Sequence, residues 1–442
     1  MHQAKPLAAQ LQTAIELHQL GRLEEARERY RQILERQPQH ADALHLLAVS
    51  LIQSASASQA LPLLEQAIAL NNTESSYHAS LGRAYHALSD YEQAIAPLRR
   101  AAQLTPGNAQ YWCDLGATLQ SAGQVNDAQE VYERALRIDP GHATSRYNLA
   151  TVLHDHGDLG GAIGLLKSLL GDDPGGASLH STLAGYLLES DEISEALAES
   201  DAALALNPRD LMAMSFKSIA LLRLGDLQGA RHLVDFERLI VTRTINAPPG
   251  YASLNDFNIA LEHHVLNHPT LVFERRQNAT RGGRHTSNLL LGDKGPMADL
   301  ETVFNTHIQQ YLNQLPRDPG HPYLALRPPA WSLQAWAVVM DKQGHQLAHT
   351  HPEGWVSGVY YLSIPAAVNA TDPQQAGWIE FGRPLPELIG TDQADVRRYQ
   401  PQAGLLVLFP SYFYHETIPF ESATQRISIA FDAIPRGRRQ SQ

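Results

Sequence analysis

The chain has 442 residues, 43% hydrophobic and 18% charged, which excludes intrinsic disorder and collagen-like repetition and leaves room for two or three domains. With 34 Lys and Arg against 46 Asp and Glu, the formal charge of -12 argues against a phosphate backbone as ligand, so no nucleic-acid partner is expected. The single cysteine, Cys113, has no disulfide partner, and neither a basic-then-apolar leader nor a run of roughly 18 apolar residues occurs. A cytoplasmic protein with no membrane partner is therefore expected.

In chain order the first signal is a repeat. Ala26, Ala60, Ala94, Ala128, Ala162, Ala196 and Ala230 recur every 34 residues, and Pro38, Pro106, Pro140, Pro174 and Pro208 fall twelve residues after such an alanine, with only Asn72 out of character. Small residues let two helices approach closely, and proline stops the second one. In the clearest unit these positions are Trp112, Leu115, Gly116, Ala128, Tyr132, Ala135 and Pro140, a pattern that resembles the tetratricopeptide repeat. The resemblance covers residues 7–235, about seven repeats, and implies a right-handed all-α superhelix whose concave face binds an extended peptide or a partner helix. First-helix positions facing that groove are expected to include Arg83, His86, Gln110, Gln120, Tyr147, Asn148 and His154. Cys113 lies on the same helix series and is expected to be a packing residue.

After residue 235 the register is lost, and Pro248-Pro249-Gly250 breaks the chain. Three regions are expected: the array over 7–235, a linker and helical/β support over 236–330, and a β core over 331–436, with the two halves holding separate cores. Leu300, Val303, Phe304, Ile308, Tyr311, Leu312 and Leu315 predict one amphipathic helix over 297–315, packed on a sheet. From Trp331 onward WSLQAWAVVM, WVSGVYYLSI, GWIEFG, GLLVLFP and RISIAF predict short strands without intervening helices, hence a barrel or sandwich.

Two clusters in this β region could do chemistry. His349-Thr350-His351-Pro352-Glu353 precedes the strand Val356–Leu362, and in an extended segment His349 and His351 share a face and can converge on one ion. His415, 64 residues beyond His351, can add a third ligand from an adjacent strand and leave coordination positions open. His345, beyond a turn expected at Gly344, is placed behind the site or in solvent. Glu380 is a remote carboxylate candidate, more simply read as an exposed edge-strand acid.

The order HxH, SGVYYL strand, Gly-rich turn, GLLVLFP strand, His, then an Arg eleven residues later in RxS resembles the iron(II)- and 2-oxoglutarate-dependent oxygenases. HTHPEGWVSGVYYL, PQAGLLVLFPSYFYHETIPF and RISIAFD look like a bacterial and phage branch related to prolyl 4-hydroxylases, over residues 331–433, and NATRGGRHTSNLL upstream is assigned to the same unit. The resemblance implies a double-stranded β-helix (jelly-roll, cupin-like) with flanking helices, and Fe(II), 2-oxoglutarate and molecular oxygen as cofactors. His349 and His415 match the family's two histidine ligands. Arg426 is then expected to pair with the distal carboxylate of 2-oxoglutarate, assisted by Ser428 and by the hydroxyl of Tyr361.

One position departs from the commonest pattern, in which Asp or Glu stands two residues after the first His; here it is His351. Either His351 is the third ligand or Glu353 reaches the metal. The resemblance implies a dioxygenase that hydroxylates a peptide or protein recruited by the repeats. The alternatives are an all-histidine iron dioxygenase that uses no 2-oxoglutarate and a non-catalytic scaffold with a degenerate barrel.

Overall fold

The computed structural model describes residues 7–273, 279–389 and 395–436. Among them the N-terminal part is built of seven helix pairs: Leu7–Gln19 with Leu23–Arg36, Ala41–Gln53 with Ala57–Leu70, Ser75–Ala87 with Tyr91–Leu104, Ala109–Ser121 with Val125–Ile138, Ala143–Asp155 with Leu159–Asp172, Ala177–Glu189 with Ile193–Leu206, and Leu211–Arg223 with Leu227–Leu233. All seven periodic alanines lie on the second helix of a pair and are buried. The second helices stop two residues before each periodic proline, as at Arg36 before Pro38 and Ile138 before Pro140. Why a small residue must recur on the first helix is plain at Gly116, where a Cβ would lie 2.5 Å from the Tyr132 ring. Cys113 is a buried free thiol packed in this core, as expected.

The chain forms two compact units, Met1–Pro174 and Gly175–Gln442. In the second, ten strands follow the last two helix pairs: β1 (Val241–Thr244), β2 (Val272–Phe273), β3 (Thr280–His285), β4 (Trp331–His349), β5 (Val356–Ser363), β6 (Ile379–Phe381), β7 (Arg397–Tyr399), β8 (Leu405–Pro410), β9 (His415–Thr417) and β10 (Arg426–Pro435). They make one curled antiparallel sheet in the order β1-β8-β5-β10-β4-β9-β6-β7, with β3 against β4 and β2 against β3. The architecture is thus an all-α repeat array followed by a jelly-roll-like domain with flanking helices.

β4 explains the curl. Its first ten residues pair with β10 from Trp331↔Pro435 to Met340↔Arg426, while its far end pairs with β9 through Gln346↔Thr417 and His349↔His415. The strand therefore belongs to both sides of the fold and carries a histidine at its end. The turn expected at Gly344 does not form. Instead the register slips there against β3, between Arg281 and Gly283, so the strand bends without ending. Thr280–His285, from the upstream motif, is the strand that covers this bend; Asn278 of that motif lies outside the described residues.

The predicted amphipathic helix is Met297–Gln314, with Leu300, Phe304, Ile308, Tyr311 and Leu312 buried. It packs on the sheet as expected: the Phe304 ring stacks on Phe431 at 3.9 Å. A second helix, Leu254–Leu266, puts buried Asn258 within 2.6 Å of the Tyr360 hydroxyl, which donates to it. The expected separation of cores at residue 235 is not what forms. Leu211 and Met214 of the last repeat share one apolar cluster with Phe236, Leu239, Phe304, Tyr360 and Phe431. The Tyr412 hydroxyl donates to the carbonyl of Leu233, and Arg223 donates to that of Leu388 at 3.0 Å. The physical reason is that a terminal repeat leaves an apolar face which something must cover.

Candidate metal centre

His349 and His351 lie on one side of the extended end of β4, and β9 sets His415 opposite His349. One ring nitrogen from each of the three falls within 4.8 Å of the others, and the ring centroids are 4.3 to 5.1 Å apart. Each ring is held by its Nδ1. His349 donates to the carbonyl of Leu347 at 2.7 Å, His415 to that of Phe413 at 3.1 Å, and His351 to Asp432 Oδ2 at 3.0 Å. With Nδ1 occupied, Nε2 is the free lone pair on all three rings.

Burial and the neighbouring rings, His351 above all, push His349 down to about 4, and burial with the charges of His349 and His351 puts His415 well below the ordinary histidine value. Neutral imidazoles in convergence are donors for a borderline metal such as Fe(II) or Zn(II), not for Ca(II) or Mg(II).

The rings open into a cavity of about 380 Å³, large enough for a small dicarboxylate. Its wall includes Tyr361, Arg426 and Ser428, the other three residues expected from the sequence. Strand alternation puts them there: Arg426, Ser428 and Ala430 of β10 line the cavity, while Ile427, Ile429 and Phe431 face the helices.

Arg426 is 2% exposed. Its Nη1 donates to Thr417 Oγ1 at 3.3 Å and its Nε has no acceptor; the buried Tyr361 hydroxyl has the guanidinium itself as its polar neighbour and its own proton free to donate. Among the described residues no carboxylate pairs with this guanidinium. A buried cation with no acid beside it among the described residues and a neighbouring phenol on one cavity wall fit a ligand carboxylate, because an unpaired buried charge is otherwise costly.

Other expected positions fall elsewhere. Glu353 is exposed and lines a separate, smaller cavity of about 60 Å³ with Pro352, Gly354 and Trp355. His345 is half-buried on β4 and does not line the histidine cavity. Glu380 is not an exposed edge acid: β7, which the sequence did not reveal as a strand, covers β6, and the buried carboxylate accepts from Arg383 at 2.6 Å and Arg398 at 2.5 Å. Burial alone would raise its pKa, but the two guanidiniums carry it below the ordinary value. Asp432 was missed altogether. The signal was available, since it continues the alternation Arg426, Ser428, Ala430 on the same face of β10.

In the repeat unit, the expected groove residues lie on the first helices of three successive pairs. Arg83 pairs with Asp114 at 3.2 Å, His86 bonds to Thr118, Gln110 donates to Asp114, and Gln120 accepts from Tyr132. Tyr147, Asn148 and His154 are half-buried on Ala143–Asp155.

The geometry makes a direct prediction. His351→Ala should abolish tight Fe(II) binding and Glu353→Ala should leave it unchanged, as measured by anaerobic titration. The reverse pattern would make Glu353 the ligand.

Comparison with known proteins gives two kinds of match. Profiles described as tetratricopeptide repeats match residues 17–84, 82–123, 119–186 and 182–235, and one described as "Putative 2OG-Fe(II) oxygenase" matches residues 334–432. No curated protein matches the chain. Among solved structures, MamA is 22% identical over 36% of this chain and 94% of its own, with a TM-score of 0.34. YrrB, a TPR protein with an unusual peptide-binding site, is 19% identical over 42% and 95%, at 0.36. A thermophilic TPR protein in Thermus thermophilus is 23% identical over 41% and 100%, also at 0.36.

Proposed function

We propose, from the premise that the chain joins tetratricopeptide repeats to a domain of the 2OG-Fe(II) oxygenase family, that it hydroxylates a peptide or protein with Fe(II), 2-oxoglutarate and molecular oxygen. The observation that carries this reading is Arg426, a buried guanidinium with no acid beside it among the described residues, on the wall of the cavity into which three histidines converge. An all-histidine dioxygenase that does without 2-oxoglutarate could use that charge only for a carboxylate of its own substrate, so the two readings differ in which carboxylate Arg426 holds, and succinate release separates them.

In this reading His349, His351 and His415 would hold the metal, with the cavity beside them available to 2-oxoglutarate. Arg426 binds the distal carboxylate of 2-oxoglutarate, Thr417 steadies the guanidinium, and Tyr361 and Ser428 donate to the same carboxylate. Burial keeps the Tyr361 phenol protonated and so a donor. Val338, Val359, Ile379 and Phe409 give the cavity apolar walls that exclude water. The metal and cosubstrate together supply the oxygen activation by which a C–H bond becomes an alcohol. Repeats of this kind generally bind protein or peptide, and Arg83, His86, Gln110, Gln120, Tyr147, Asn148 and His154 are the residues that would recruit the substrate. Residues 7–235 then serve recognition, 331–436 chemistry, and 236–330 support. Among the described residues no helix is long and apolar enough to cross a membrane.

The test is succinate release from 2-oxoglutarate after anaerobic Fe(II) loading and admission of air. Wild type should turn over 2-oxoglutarate slowly without substrate and faster with lysate peptides. In Arg426→Ala, breaking a buried pair costs about 3 to 5 kcal/mol. The affinity for 2-oxoglutarate should therefore fall roughly 100-fold or more, with Fe(II) affinity retained. Unchanged 2-oxoglutarate affinity would place the carboxylate elsewhere and favour the cosubstrate-free alternative.

A further inference from the structure

The third histidine differs from the other two in what stands behind it. Backbone carbonyls hold His349 and His415, whereas a carboxylate holds His351. Asp432 is 8% exposed. Its Oδ1 accepts from the Ser357 hydroxyl at 2.5 Å, and Ser357 lies 2.8 Å from the Ser411 hydroxyl. The backbone N–H of His351 donates to the carbonyl of Ser411 at 2.8 Å, and that of Trp355 to the carbonyl of Ala433 at 2.9 Å. The loop after His351 is thereby clamped over the acid. At Gly354 a Cβ would come within 2.7 Å of Ser411 Oγ and 3.3 Å of the Asp432 side chain, so a larger residue there would have to displace the Ser411 hydroxyl.

Among the described residues no Lys or Arg pairs with Asp432; its one ion-pair partner is His351. A buried carboxylate without a cation is unfavourable unless positive charge reaches it by another route. Here that route runs through the imidazole. If His351 is neutral, with Nδ1–H donated to Asp432, the compensating charge is a cation on Nε2, on the far side of the ring. A two-histidine, one-carboxylate site carries its negative charge on the metal itself. This chain has a third imidazole in that place and a buried carboxylate one ring behind it.

We infer that Asp432 is a positioning residue for the metal centre: it fixes the Nδ1–H tautomer of His351, aims Nε2 at the ion, and supplies through the imidazole the negative charge that a carboxylate ligand would supply directly. The inference rests on the proposed role of His351 as a ligand. It makes the exchange of carboxylate for histidine at position 351 one half of a paired arrangement whose other half is Asp432.

Anaerobic titration with Fe(II) alone, against a competing chelator, tests this without turnover. Asp432→Asn keeps the shape and removes the charge. It should weaken Fe(II) binding about 10- to 100-fold, with the melting temperature of the metal-free protein little changed. His351→Asp should still bind Fe(II), and there the charge is already on the metal. Adding Asp432→Asn to that background should cost nothing or improve affinity. Equal losses in both backgrounds, or none in the wild-type background, overturn the role of Asp432. If Asp432→Asn does not fold, Ser357→Ala carries the test, because it frees the carboxylate to swing away from His351; unchanged Fe(II) affinity then overturns the assignment. Wild-type protein that takes up no Fe(II), or His351→Ala protein that binds it as wild type does, overturns the metal reading first and this inference with it.

Discussion

Replacing His415 with alanine is expected to remove Fe(II) binding and all succinate formation while leaving the repeat unit folded. His415 is 6% exposed and starts the strand that pairs with the end of β4, which fixes its ring beside His349. Two remaining imidazoles cannot form a closed face on the ion, and metal affinity falls steeply with each lost ligand. Because burial holds His415 well below the ordinary histidine value, the substitution removes a lone pair and no charge. It does leave space among Phe381, Phe409 and His349, and a modest loss of stability confined to the β domain should accompany it. Metal content after anaerobic reconstitution is the measurement. Full stoichiometry in His415→Ala protein would remove this residue from the ligand set.

Two truncations should part company completely. Removing residues 1–174 takes away one compact unit and should leave a soluble protein that melts cooperatively and still binds Fe(II). Removing residues 1–235 also deletes Leu211 and Met214 from the core, the Leu233 carbonyl that accepts from Tyr412, and the Arg223 guanidinium that reaches Leu388. That protein should aggregate, because an apolar face is stripped of its cover. Size-exclusion chromatography and circular-dichroism melting distinguish the outcomes. A monomeric, cooperatively folded 236–442 fragment would show that the last repeat is dispensable to the β domain.

The repeat array was legible because its signal is redundant: alanine, proline and large apolar positions all recur with one period, and no single residue has to be interpreted. The long strands were legible for a similar reason, as runs of Val, Ile and aromatic residues between Gly and Pro. Thr-Arg-Gly-Gly-Arg-His, Arg-Arg-Tyr and His-Glu-Thr carry no such signal. They are strands only because β4 and β6 offer them edges, and pairing across tens of residues leaves no local trace. The misreading of Glu380 as exposed follows directly from the missing β7.

At the site, the three histidines and Arg426 announced themselves by residue type, and alternation placed Ser428 and Tyr361 beside them. Asp432 stood in the same alternation, yet a carboxylate near the end of a strand suggests solvent until its partners on two other elements are known. The extent of the core failed for the opposite reason. The period of 34 runs to Ala230, and nothing in a period says what covers the last unit.

The double membership of β4 has a thermodynamic consequence. The strand that forms the central ladder with β10 also ends in His349, two residues before His351, so the histidine-bearing end cannot melt far without loosening the ladder. An ion held there reports to the whole β domain and acts as a ligand for the folded state. At a free concentration one hundred times its dissociation constant, such a ligand adds about 2.7 kcal/mol to stability. Availability of the metal in the cell would then set how long the domain survives as well as whether it is active.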